Sequence, residues 1–229
     1  MFLKHPAWLW LKKHDKSKLP PIDDNTQAMF DAGNMFEGYA EKLFPEGIRL
    51  GFTNYNEYQL LPQATTKAIQ DGNKTIFQGR FENESTTCIC DIVQFVGDNT
   101  VDLFEIKSST KAKPEHELDL AFQMVVLEGN GYEVRNIEVI HVNNQYVRNG
   151  DVKAEDIVAK TNVTEKVKNK RDFTVQKIAE AVKMLEDGDH PDFSPFLAGD
   201  NGAFAEWLEI YKHLYPQDKG SIYDLCRLD

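Results

Sequence analysis

Cysteine is scarce, three in 229 residues. That excludes a disulfide-stapled scaffold. Cys88 and Cys90 stand too close along one strand to bridge comfortably and Cys226 is alone, which points to a reducing, cytoplasmic setting. Long apolar runs are missing too: none approaches the roughly 20 residues of a membrane span. The start has no signal-peptide core, so no membrane is expected among the partners. Positive charge is not in excess. With 26 Lys and Arg against 37 Asp and Glu, the formal net charge is -11. A passive coat for nucleic acid would be basic; an enzyme acting on nucleic acid is not excluded, because carboxylates that hold metal ions add negative charge. The chain has no GxxxxGKS/T, hence no ATP motor of its own, and its six histidines show neither HExxH nor finger spacing. No internal repeat or low-complexity tract is visible.

What is there suffices for a core. Hydrophobic residues make up 41% and charged residues 28%, which fits one large domain or a domain with an appendage. HPAWLWLKKH near the start reads as a docking helix stopped by Pro20 and Pro21. QAMFDAGNMFEGYAEKLF (27–44) has helical spacing, with Phe30, Gly33, Glu37, Ala40 and Phe44 on one side. QATTKAIQDG (63–72) is a short helix. The period then changes to two. IFQGRFE (76–82), TTCICDIVQFV (86–96) and TVDLFEIKSS (100–109) read as three strands joined by tight turns. HELDLAFQMVVLEGNGY (116–132) is a helix closed by Gly129 and Gly131, and VRNIEVIHVNN (134–144) is a β-branched strand.

This order predicts an α/β domain with a central mixed sheet flanked by helices over 1–150. Residues 151–229 read as a mainly helical C-terminal appendage packed on that core. Its best helix, VQKIAEAVKMLEDG (175–188), buries Val175, Ile178, Ala179, Val182 and Leu185. AFAEWLEIYKHLY (203–215) is a second helix.

The candidate site lies on the second and third strands. Alternation puts Ile89, Asp91, Val93 and Phe95 on one face, with Cys88, Cys90 and Ile92 on the other. Leu103, Glu105 and Lys107 share a face of the third strand; Phe104 and Ile106 fill the opposite one. Two acids and a lysine therefore meet on neighbouring strands where a passive sheet would be apolar. Such acids repel unless a divalent ion lies between them, and Mg²⁺ prefers oxygen ligands. Lys107 projects to the same side and can stabilise charge developing on a phosphoryl group. Glu37, on the inner side of its helix, and Gln123, on the helix after the strands, add to the set. A surface hairpin with a cross-strand ion pair is the plain alternative. His116, near the start of its helix, would contact phosphate; capping or solvent exposure would account for it as well. Ser108, Ser109, Thr110, Lys111 and Lys113 suit a phosphate backbone.

GNMFEGYAEKLFP (33–45), CDIVQF (90–95), LFEIKSST (103–110) and LDLAFQMVVL (118–127), taken together, resemble the PD-(D/E)XK nuclease superfamily. The likeness is to its RecB-type branch, with the CRISPR-associated exonucleases, and within it to a bacterial domain family of unassigned role. HPAWLWLK, ATTKAIQDG and IHVNNQYVRNG are similar to that family as well. The resemblance implies a restriction-endonuclease-like core. It makes Glu37 the metal-assisting acid of the first helix, Asp91 the central metal ligand, Glu105 the second ligand acid and Lys107 the motif lysine. Ile106 would offer its carbonyl to the metal, and Gln123 would lie near the site and the DNA backbone. The family's tyrosine is Leu127 here, its proline is Cys90, and Phe36 stands where many members carry a histidine. The cysteines of the iron–sulphur branch are absent; His5 and DGDHPDFSPF (187–196) occupy their places, so no cluster is expected, and Phe193 and Phe196 hold that loop by packing.

The function implied is a Mg²⁺- or Mn²⁺-dependent deoxyribonuclease leaving 5′ phosphates. The alternative is a non-catalytic DNA- or protein-binding module on the same fold; a hydrolase of another phosphoester uses the same ligands. DNA is the expected substrate. A motor would come from a partner such as a helicase. The semi-apolar ending SIYDLCRLD fits the front part of a longer protein.

Overall fold

The structure is a computed structural model, and it describes residues 1–21, 24–188, 191–199, 202–216 and 223. Cys226, His190 and the side chain of Phe30 lie outside the described residues.

The sheet forms where β-branched and aromatic residues alternate or run together. Its strands are β1 (Ile48–Arg49), β2 (Thr75–Glu82), β3 (Thr87–Phe95), β4 (Thr100–Lys107), β5 (Glu133–Val142) and β6 (Val158–Asn162), in spatial order one to six. β2, β3 and β4 form an antiparallel meander. β1 lies parallel to β2, β5 parallel to β4, and β6 antiparallel to β5. Each parallel pair needs a crossover. Helix α3 (Tyr55–Gln70) bridges β1 to β2, and α4 (Pro114–Gly129) bridges β4 to β5. The expected mixed sheet flanked by helices is present. α3 is longer than its closing decapeptide suggests, running through Pro62 from an Asn54 cap whose side chain accepts from the Glu57 N–H.

β4 is buried from Val101 to Ile106, as a central strand covered on both faces must be. One face carries Val93, Phe95, Val101 and Leu103 against Leu120, Met124 and Leu127 of α4, with Ala68 of α3 in the same cluster. Leu120 and Leu127 are fully buried, each stabilising by about 1.5–3 kcal/mol. The other face carries Phe77, Ile92, Phe104, Ile106 and Ile140 against Phe36 and Ala40 of helix α2 (Asp24–Ala40). α4 begins at Pro114, where a missing N–H costs nothing. It closes at Gly131, whose φ of 87° suits glycine.

Two compact units divide the chain: Asn25–Val175, which holds the sheet, and Met1–Asp24 with Gln176–Asp229. This differs from a division at 150 for two reasons. The charged stretch after 150 contains β6, which pairs with β5, and α6 (Thr164–Lys168), whose Val167 joins the α4 core. α1 (Pro6–His14) shares its core with α8 (Ala203–Leu214). Trp207, fully buried, donates its indole N–H to the Phe193 carbonyl at 2.9 Å and stacks on His5 at 3.9 Å.

Two expectations for this region are corrected. Phe193 packs, but Phe196 is 83% exposed. On α7 (Arg171–Glu186), Val175 and Ala179 are exposed and Ile178, Val182 and Leu185 only half-buried. Apolar spacing marks the face a helix can bury, not the presence of a neighbour that covers it.

Candidate functional site

Asp91 and Glu105 come from adjacent antiparallel strands. The β3–β4 ladder runs from Phe95 opposite Val101 to Ile92 opposite Phe104. One step further, the same register sets Asp91 opposite Glu105, and there the ladder ends. Asp91 takes its place: its Oδ2 accepts the Ile106 N–H at 2.8 Å. Along a strand the N–H and C=O of one residue point to the same side, so the Ile106 carbonyl is directed toward β3 as well.

Regular alternation fails at this point. Cys88 and Cys90 pack in the same cluster as Val93 and Phe95, not on the face opposite them. Ile92 lies across the sheet. The phase of β3 therefore slips by one residue between Cys90 and Ile92. β2 slips in parallel, with Ile76 and Phe81 on one face although five residues apart. The pairs Phe77–Ile92 and Gly79–Cys90 flank the slip, leaving Gln78 opposite Asp91. Gln78 has φ 55°, a positive value found at no other non-glycine among the described residues. The double slip leaves the register intact, and it turns both Gln78 and Asp91 out of the regular pattern. Gly79 follows because a Cβ there would lie 3.2 Å from Ile76 and 3.4 Å from Thr65.

All three acids are met by donors, two of them by the same amide. Glu105, 5% exposed, accepts from Gln123 Nε2 at 2.8 Å and from Lys107 Nζ at 2.6 Å. Gln78 Nε2 donates to Glu37 Oε1 at 2.5 Å and to Asp91 Oδ1 at 3.1 Å. Arg49 of β1 reaches Glu37 at 3.2 Å and also pairs with Glu41, one turn further along the chain. Glu37, Asp91, Glu105, Ile106, Lys107 and Gln123 are thus joined, through Gln78 in the case of Glu37. Gln123 Oε1 is buried with no hydrogen-bond partner.

The metal-free site resists ionisation of its central acid. Burial, then Glu105, pushes the Asp91 carboxyl up to about 8, against the pull of the Ile106 N–H and Lys107. Burial works against the Lys107 ammonium, but Glu105 and Asp91 outweigh it and hold its pKa above the ordinary value. His116 is lowered by burial and by Lys107; it is buried, not solvent-exposed, and its Nδ1 accepts the Lys113 N–H at 3.2 Å, a capping role. Among the described residues, no three His, Cys, Asp or Glu side chains converge as a ready-made cation cage. The arrangement is two opposed carboxylates with a third tied in by an amide. Mg²⁺ commonly uses only one or two carboxylates and keeps several waters.

Gln78, Arg49 and Asp119, whose charge also acts on Lys107, escape the sequence reading. For Gln78 a signal existed: a glycine inside a strand pattern, Gln78-Gly79, marks a break in regular pairing.

No family model matches the chain, and no curated protein matches it. Two solved structures are similar to it. One is a phage-related exonuclease from Haemophilus somnus 129PT, 12% identical, with a TM-score of 0.30, covering 80% of this chain and 94% of that one. The other is an alkaline exonuclease from Laribacter hongkongensis, 10% identical, with a TM-score of 0.27, covering 80% and 91%. Likeness at that level carries no argument, and the functional reading rests on the residues. No helix among the described residues is long and apolar enough to cross a membrane.

Proposed function

We propose that this chain is a metal-dependent nuclease that hydrolyses DNA phosphodiester bonds and leaves 5′ phosphates. One observation carries the reading: Asp91 and Glu105 face each other where β3 and β4 part, with Lys107 held on Glu105. The resemblance of the surrounding motifs to PD-(D/E)XK nucleases supplies the substrate class. Mg²⁺ or Mn²⁺ suits the donors, which are hard oxygens; burial and then the neighbouring Glu105 raise Asp91, and a cation between the acids would favour the ionised form of both. Asp91, Glu105 and the Ile106 carbonyl would hold the ion, with Glu37 assisting. When bound, it supplies Lewis-acid polarisation of a phosphoryl oxygen and acidifies coordinated water.

The chain's own groups do the rest. Gln123 fixes the rotamer of Glu105 by donating to Oε2, which leaves Oε1 to Lys107. Lys107, 31% exposed at its side chain, keeps a positive charge at the edge of the site. There it can stabilise the phosphoryl oxygens as a water oxygen bonds to phosphorus and the bond to the 3′ oxygen breaks. Ser108 to Thr110 and Lys111 continue from β4 and carry hydroxyl and ammonium groups of the kind that contact a phosphate backbone.

The test is cleavage of linear duplex, closed-circular and single-stranded DNA, and of RNA, with Mg²⁺, with Mn²⁺ and with EDTA. Cation-dependent DNA cleavage that falls at least about 100-fold in Lys107→Ala, with cation binding retained, is the expected result. Wild-type protein that binds neither ion at millimolar concentration and cuts none of these substrates overturns the proposal.

A further inference from the structure

We infer that Gln78 is a positioning residue that couples Glu37 on α2 to Asp91 on β3, so that the acid of the helix acts together with the acids of the sheet. The inference rests on the nuclease reading and adds a residue to it. Three observations carry it. The Gln78 amide nitrogen reaches both carboxylates, at 2.5 Å to Glu37 and 3.1 Å to Asp91. The residue stands opposite Asp91 in the β2–β3 register, at the step where the two strands slip together. Its φ of 55° is one that L side chains rarely adopt, and such conformations persist only where surroundings over-determine them. A regular strand residue at 78 would keep β2 in phase, which places its side chain with the alternating core residues. The left-handed turn directs the amide to the acids instead.

The strained backbone and the bridging amide can be separated by substitution. Glycine adopts positive φ freely and asparagine tolerates it, so Gln78→Gly and Gln78→Asn relieve the backbone. Glycine removes the amide; asparagine, one methylene shorter, does not span both acids. A purely structural role for residue 78 makes both variants equal to or better than wild type. A positioning role makes both fold normally yet respond more weakly to cation.

The experiment uses the full chain as wild type, Gln78→Gly, Gln78→Asn, Glu37→Gln and the Gln78→Gly/Glu37→Gln double variant. The Mn²⁺ concentration giving half the maximal rise in Tm is measured for each, together with unfolding midpoints in EDTA. Both Gln78 variants are expected to need at least about threefold more Mn²⁺, the low end of coupling between contacting residues. The double variant should need no more than Glu37→Gln alone, and the midpoints in EDTA should be non-additive. Unchanged Mn²⁺ dependence in Gln78→Gly and Gln78→Asn overturns the inference while leaving the nuclease reading intact. So do additive effects in the cycle, in Mn²⁺ or in EDTA. A wild-type protein with no Mn²⁺ response overturns the nuclease reading itself and this role with it.

Discussion

Asp91 is a carboxyl whose ionisation the metal-free site opposes. Its carboxyl, raised to about 8 by burial and by Glu105, makes the metal-free fold less stable at neutral pH than an uncharged residue would. Asp91→Asn keeps the shape and an acceptor for the Ile106 N–H. It should therefore raise the unfolding free energy in EDTA by roughly 1–3 kcal/mol while abolishing the stabilisation by Mn²⁺. Denaturant titration with and without the ion checks both signs; a loss of stability in EDTA would show that Asp91 is already compensated. Gln123 gives the complementary case. Gln123→Leu removes a donor to the buried Glu105, so it should cost about 1–3 kcal/mol, less the relief of burying Oε1 unpaired.

At the scale of elements, one close approach and one helix cap are open to test. Gly47 lies just before β1, where an added Cβ would sit 2.2 Å from the Phe77 ring. Phe77 precedes Gln78 and fills the core under α2. Gly47→Ala should cost about 1–3 kcal/mol by overpacking, read as a lower urea midpoint.

The second is α1, whose first turn is capped by His5. Its Nδ1 accepts the Ala7 N–H at 3.1 Å, and Nε2 lies 3.1 Å from the Ser194 carbonyl, so the neutral ring with the proton on Nε2 satisfies both partners. Burial lowers the His5 pKa, with Ser194 and Asp192 partly opposing. The native state then binds fewer protons here than the unfolded chain, whose histidine titrates near 6.5. Stability from this group is present above that pH and is lost as pH falls through it. Circular dichroism melts of wild type and His5→Asn, which keeps a capping acceptor without a titrating ring, isolate this group: as pH falls from 7.5 to 5.5 the wild type should lose stability relative to the variant, while the raised Asp91 carboxyl favours both equally.

Across the whole molecule, charge governs how a polyanion could be approached. With a net charge of -11, no general basic field is available to concentrate DNA, and the few lysines after β4 must neutralise its phosphates locally. Binding to a short DNA duplex should be weak in EDTA, tighten with Mn²⁺ in wild type, and fail to tighten in Glu105→Gln. Fluorescence anisotropy at 50 and 200 mM salt reads it, with a shallow salt slope expected if only the few lysines after β4 meet phosphates.

The sequence by itself marked the main strands and helices and most residues of the candidate site. Alternation in 76–107 and helical spacing on either side gave strands and helices close to those found. Acids among isoleucine and phenylalanine marked Asp91 and Glu105, because burying charge requires a reason. Tertiary structure decided what those patterns do not encode. β1 and β6 are short strands of mixed composition that exist through pairing with a neighbour. The grouping of α1 with α8 joins residues some two hundred positions apart. The slip at Gln78 and Asp91 depends on two strands departing from the regular pattern at the same step, while alternation within one strand reports only the regular case. That slip lets Gln78 touch both Glu37 and Asp91, and a contact between a helix and two strands follows from three-dimensional register, which local periodicity does not contain.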